Sequence, residues 1–164
     1  MRRTVAKVLL YVMRHGDAIS RARTDQERPL SPLGEAQARS MVSVLLPQPP
    51  ARILVSPYLR AQQTAALVAA GLAHHDIVVP LETIDFITPN DSPQVVLTNL
   101  EPILSTGEAV LIVSHQPLAG GLVTWFAEGH TMGLPVATAS IACLKSDVVA
   151  AGVAELLWLQ SPST

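Results

Sequence analysis

A chain of 164 residues that is 49% hydrophobic and 15% charged has enough apolar side chains to offset its chain entropy, which excludes a disordered segment and predicts one domain over residues 1–164. A formal net charge of −2 gives no global electrostatic argument for nucleic acid or an anionic membrane, and neither is expected as a partner. A single cysteine excludes an intrachain disulfide and no apolar run approaches the roughly 20 residues of a membrane span, so the cytoplasm is the expected compartment.

Val5 to Arg14 reads as the first strand. Arg2, Arg3 and Lys7 ahead of Val8–Met13 superficially resemble a signal peptide, but the apolar stretch is short and Arg14 and His15 stand where a small-residue cleavage site belongs. After a polar loop from His15 to Leu30, Ser31 can cap a helix with Pro32 in its first turn. That helix continues over Ala36–Leu46 until Pro47, Pro49 and Pro50 end it. Arg52–Ser56 is a second buried strand, and Arg60–Ala70 a second helix stopped by Gly71. Ile77–Val79 is a short third strand, Thr88–Ser92 a turn, and Pro93 starts a helix running to about Leu104. Ala109–Ser114 is a fourth strand, and Pro117–Ala127 a helix despite Gly120 and Gly121. Ser140–Lys145 and Ala154–Leu159 read as an antiparallel pair at a sheet edge. The alternation predicts an α/β fold, with a mostly parallel sheet flanked by helices on both faces.

Three polar signatures follow predicted buried strands: Arg14-His15-Gly16, Ser56-Pro57 with Arg60, and Ser114-His115. In open α/β sheets the carboxyl ends of parallel strands share one edge and form the ligand crevice. If these strands are neighbours, two histidines and two arginines converge there. Paired guanidiniums match the oxygens of an oxyanion better than lysines do, so the expected ligand is a phosphoryl group.

On these residues the chain resembles the histidine phosphatase superfamily, the phosphoglycerate mutase-like enzymes, and within it the bacterial phosphohistidine phosphatases. The resemblance is carried by Met13-Arg14-His15-Gly16-Asp17-Ala18, Arg28-Pro29-Leu30-Ser31, Val55-Ser56-Pro57-Tyr58-Leu59-Arg60-Ala61 with Gln63-Thr64, and Val113-Ser114-His115 with Pro117-Leu118. It implies that His15 is the nucleophile and that Arg14, Arg60 and His115 bind the phosphoryl oxygens. The implied partner is a phosphohistidine-bearing signalling protein, such as a histidine phosphotransfer domain, with no metal and no cofactor. Nearby arginines would disfavour protonated imidazole, keeping the nucleophile neutral. Backbone groups near Gly16 could fix its tautomer.

Other polar residues carry less. Arg28 could approach the phosphate or meet an acidic neighbour such as Asp25 or Glu27, and both readings stand. Gln63 and Thr64 are expected to pack or bond locally. His74, His75 and Asp76 read as a solvated turn, His130 as an exposed loop residue, and Cys143 as a buried small hydrophobe. The general acid is open among Asp17, Glu82, Asp85 and Asp91. Imidazole is a far less basic leaving group than an alkoxide, which favours a phosphorus–nitrogen bond as the target. The alternatives are a small-ester phosphatase with the same nucleophile, a non-catalytic phosphate-recognition module, and a metallophosphatase using His15, Asp17 and His115. No segment between strands exceeds a loop plus one helix, so an open site without a large helical insertion is expected.

Overall fold

Strands buried on both faces need apolar residues at successive positions. Val8–Arg14 (β1) and Ala109–Ser114 (β4) have them: Leu10, Val12, Val110 and Ile112 point to one face, while Tyr11, Met13, Leu111 and Val113 point to the other. The computed structural model describes residues 7–163; Arg2, Arg3 and the expected strand start at Val5 lie outside the described residues. β1 and β4 form the centre of a six-stranded sheet of order β3-β2-β4-β1-β5-β6, where β2 is Arg52–Val55, β3 Leu81–Thr83, β5 Ile141–Ser146 and β6 Glu155–Gln160. The pairings β1–β4, β4–β2 and β2–β3 are parallel; β5 runs antiparallel to both β1 and β6.

The helices divide between the faces as amphipathic stripes require. α1 (Pro32–Ser40), α2 (Val42–Leu45) and α3 (Leu59–Ala73) cover one face, burying Leu45, Val68 and Leu72 together with Met41 between the first two helices. α4 (Pro93–Leu104) and α5 (Leu118–Glu128) pack Leu97, Leu100, Leu122 and Phe126 on the other. The expected α/β architecture is therefore the observed one, with no large helical insertion. Ser31 caps α1, its Oγ accepting from the Gly34 N–H at 3.0 Å, with Pro32 in the first turn.

Three local expectations are corrected. The third strand is Leu81–Thr83, not Ile77–Val79: the apolar run marks burial of Val79, whereas the ladder beside β2 forms beyond Pro80 from three exposed residues. An edge strand with no buried face carries no apolar signal. The first helix is interrupted at Met41, where φ −84° and ψ −7° separate α1 from α2. Gly71 does not stop the second helix, which continues to Ala73; a Cβ there would lie 2.5 Å from Val42 Cγ2, so this glycine serves close approach of α2 and α3. Gly120 and Gly121 have a similar use inside α5, bringing it against the Leu134 backbone and the Pro93 ring.

Candidate active site

Parallel neighbours present their carboxyl ends together, and the order β2-β4-β1 does this for all three polar signatures. Arg14 is in register with Ser114, and the His15 N–H donates to the Ser114 carbonyl at 2.9 Å. The His15 and His115 rings consequently lie 5.1 Å apart between centroids, and Arg60, in the first turn of α3, reaches His15.

His15 is 7% exposed and held at both ring nitrogens. Its Nδ1 is 2.7 Å from the Gly16 carbonyl, which only accepts, so Nδ1 carries the proton. Nε2 is left with its lone pair, which receives the Arg60 Nε–H at 3.2 Å. Gly16 is required by packing: a Cβ would lie 2.5 Å from the Gly34 carbonyl oxygen of α1. Its N–H donates to Thr64 Oγ1 at 3.1 Å, and that hydroxyl donates to the Arg60 carbonyl at 2.7 Å. Both backbone groups of Gly16 are therefore turned to protein partners.

Burial pushes the His15 imidazole down to about 4, and the guanidiniums of Arg60, Arg14 and Arg28 push the same way against the opposing Gly16 hydrogen bond. Burial together with His15 and Arg60 takes His115 down to about 3. Both rings are thus neutral at neutral pH. His115 is 1% exposed; its Nε2 lies 2.7 Å from Ser56 Oγ, and its Nδ1 has no hydrogen-bond partner. Tyr58 packs edge-on against it, with ring centroids 4.9 Å apart.

Of the arginines, Arg60 is 4% exposed and has a partner at each of its three guanidinium nitrogens. Beyond His15, its Nη1 donates to the Asp25 carbonyl at 2.6 Å and its Nη2 to Asp25 Oδ2 at 3.2 Å. Arg14 donates through Nη1 to the Val136 carbonyl at 3.0 Å, and its Nε is buried without a partner. Burial, and then Arg60, lower the Arg14 pKa. Arg28 meets the acidic neighbour: Nη1 bonds Asp25 Oδ1 at 3.0 Å and Nε donates to the Ile19 carbonyl at 3.0 Å. Hydrogen bonds from Arg28 and then Arg60 hold the Asp25 carboxyl below its ordinary range.

The carboxylates named as candidate acids are turned to other tasks or lie in solvent. Asp17 Oδ2 accepts from Ser31 Oγ at 2.6 Å, and Asp91 Oδ2 accepts from the Thr88 N–H at 2.8 Å and the Thr88 hydroxyl at 2.5 Å. Glu82 and Asp85 are exposed. Among the described residues, no group of three His, Cys, Asp or Glu side chains is placed to hold a metal ion. His74, His75, Asp76 and His130 are exposed and Cys143 is buried, as read from the sequence.

Four contacts are not legible residue by residue along the chain. Gln63 and Thr64 do not bond only locally: Gln63 Oε1 accepts from the Leu30 N–H at 2.7 Å, and Thr64 reaches Gly16 across 48 residues. Arg60, Gln63 and Thr64 stand at i, i+3 and i+4, so one helix face carries all three, and that spacing was the available signal. In sequence Asp25 stands only as an acidic neighbour of Arg28, and Ser56 only as part of a motif. Their contacts with Arg60 and His115 span 35 and 59 residues, and no local pattern encodes them.

Residues 10–85 match the family model described as histidine phosphatase superfamily (branch 1). The chain is 35% identical over 156 residues to the phosphohistidine phosphatase SixA of Escherichia coli (strain K12), covering 93% of each. It is 36% identical over 122 residues to the phosphohistidine phosphatase SixA homolog of Haemophilus influenzae, covering 70% of this chain and 74% of that one. A solved structure of the protein histidine phosphatase SixA complexed with tungstate superposes with a TM-score of 0.83 at 34% identity, over 94% of this chain and 97% of the other.

Proposed function

The chain belongs to the histidine phosphatase superfamily, and from that premise we propose that it hydrolyses phosphohistidine on a signalling protein such as a histidine phosphotransfer domain, in the cytoplasm, with His15 as nucleophile. The observation that carries the reading is the tautomer of His15: the Gly16 carbonyl holds the proton at Nδ1, leaving a lone pair on Nε2 beside Arg60, with the His115 ring 5.1 Å away between centroids. A neutral imidazole with one nitrogen fixed is a competent nucleophile at neutral pH.

In the first step the Nε2 lone pair bonds phosphorus as the substrate's phosphorus–nitrogen bond breaks, and a solvent water supplies the one proton that the departing imidazole takes up. Arg60 gives up His15 Nε2 and its Asp25 contacts and turns its donors to the phosphoryl oxygens. Arg14, with a buried Nε lacking a partner, and His115 complete the set of donors, and Arg28 adds positive charge at the edge. Gly16 acts through His15, by the carbonyl that fixes its tautomer. In the second step a water oxygen attacks phosphorus as the bond to His15 Nε2 breaks; one water proton leaves with inorganic phosphate, the other returns to solvent, and His15 is again neutral with its proton on Nδ1.

Protein-borne phosphohistidine is favoured over a small ester by the short connections around the site. Only residues 84–92 lie between β3 and α4, so that connection adds no helix that would enclose a small ligand. Contacts outside the phosphoryl group then supply orientation, which a small ester lacks. The test is rapid-quench labelling with a phosphorylated histidine phosphotransfer domain beside phosphoglycerate, sugar phosphates and aryl phosphates. The expected result is an acid-labile label on His15 and the highest kcat/KM with the protein substrate. Equal or better efficiency on a small ester, with no turnover of phosphohistidine proteins, would transfer the assignment to the small-ester phosphatase. Tungstate binding with neither a covalent label nor turnover of any substrate would favour the phosphate-recognition module.

A further inference from the structure

We propose that Ser56 is a positioning residue for His115: its hydroxyl donates to Nε2 and pins the ring in the tautomer whose Nδ1–H points to the phosphoryl group. The inference deepens the phosphatase reading above and rests on it for the identity of the ligand.

The argument is an accounting of hydrogens around one buried hydroxyl. Ser56 is 0% exposed, at the end of β2, and its Oγ has two partners: the Tyr58 N–H at 3.2 Å and His115 Nε2 at 2.7 Å. The Tyr58 amide can only donate, so it occupies a lone pair of Oγ. The hydroxyl hydrogen then has one acceptor, His115 Nε2. In the opposite arrangement Nε2–H would donate to Oγ as well, and a fully buried hydroxyl hydrogen would be left without an acceptor, at the desolvation cost of an unmade hydrogen bond. Since the ring is neutral, an unprotonated Nε2 places the proton on Nδ1.

A second observation points to the ligand. Among the described residues, the buried side-chain polar atoms with no partner are Arg14 Nε and His115 Nδ1. Arg14 Nε is a donor by its chemistry, and His115 Nδ1 is one in the tautomer that Ser56 selects. Two buried donors without acceptors, in a site that also holds Arg60, await an anion's oxygens. With the other tautomer His115 would turn a lone pair to those oxygens, and the contact would be repulsive. Ser56 thus decides the sign of the His115 contact without touching substrate.

The test reads the tautomer directly, by 15N NMR of the His115 ring in the unliganded protein, with turnover as a separate arm. Wild type is expected to show a protonated Nδ1 and an unprotonated Nε2. Ser56→Ala should populate both tautomers, bind tungstate more weakly, and lose about 10- to 10²-fold in kcat, at most the loss typical of removing a whole transition-state donor. KM should move less than kcat, since the donor matters most where charge develops. Ser56→Thr, which keeps the hydroxyl, should restore the single tautomer and most of kcat. A wild-type His115 protonated at Nε2, or a Ser56→Ala variant that keeps the single Nδ1–H tautomer, overturns the proposal. The NMR arm needs no turnover, so it stands if Ser56→Thr packs poorly. A wild type inert toward phosphohistidine would count against the phosphatase reading alone.

Discussion

At the carboxyl ends of β1 and β4, His15 and His115 are 7% and 1% exposed, whereas His74 and His75, just beyond the far end of α3, stand in solvent in a turn. α3 connects the two regions, with Arg60 in its first turn at the strand ends and His74 as its C-cap. The residue types are alike; the difference is what surrounds them. At the strand ends, a backbone carbonyl, a guanidinium and a hydroxyl hold both ring nitrogens of His15 and Nε2 of His115, and burial holds both rings neutral. Local sequence at His74 and His75 offers two adjacent imidazoles but no tertiary partners to orient them. A buried, oriented histidine therefore follows from where parallel strands end rather than from histidine clustering in sequence.

The sharpest way to break the comparison is His15→Ala, which should reduce turnover to background and remove the acid-labile label, since both need Nε2. Full activity in that variant would end the nucleophile assignment. Arg60→Ala and Arg14→Ala should each lose about 10²-fold or more in rate, because a charge-assisted donor to the transition state is gone. A loss of only a few-fold would make that arginine peripheral.

Acid titration tests the buried pair as a pair. Unfolded histidine takes up a proton near pH 6.5, while folded His15 and His115 do so near 4 and 3. Between those limits the unfolded state binds more protons, so stability is fully present above pH 6.5 and is lost as pH falls toward 4 and then 3. The His15 share is on the order of 3 kcal/mol. Denaturant unfolding from pH 7 to 4 should show the loss, and His15→Gln should remove most of its own share. An unchanged pH slope in that variant would refute the assignment.

Smaller effects follow at the rim. Asp25→Asn removes a negative charge beside Arg60 while keeping an oxygen for it, so tungstate should bind a few-fold more tightly at low salt, with the gain shrinking at high salt. Weaker binding would mean that the carboxylate orients Arg60 more than it opposes the anion. The smallest expected changes are with His74→Ala, whose stability should stay within about 0.5 kcal/mol of wild type, and with chelators, which should leave turnover intact. Chelator inactivation reversed by a divalent metal would revive the metallophosphatase alternative.

Much of this fold is legible along the chain because its causes are local. Buried parallel strands need continuous apolar residues, which marks Val8–Arg14, Arg52–Val55 and Ala109–Ser114, and the Ser31-Pro32 and Ser92-Pro93 pairs mark helix starts. The motif blocks at those strand ends identified His15, Arg14, Arg60 and His115 as residues that could meet. β3 escaped because its three residues are exposed, and Gly71 misled because its reason is the Val42 side chain on another helix.

What only the tertiary structure decided is which nitrogen of each histidine holds its proton, and therefore what each ring can do. For His15 the deciding group is its neighbour Gly16, brought into position by Thr64 and Gly34; for His115 it is Ser56, 59 residues away. A strand's apolar pattern is a property of its own side chains, but a tautomer belongs to a hydrogen-bond network. That network exists only once the order β2-β4-β1 has set three strand ends in register.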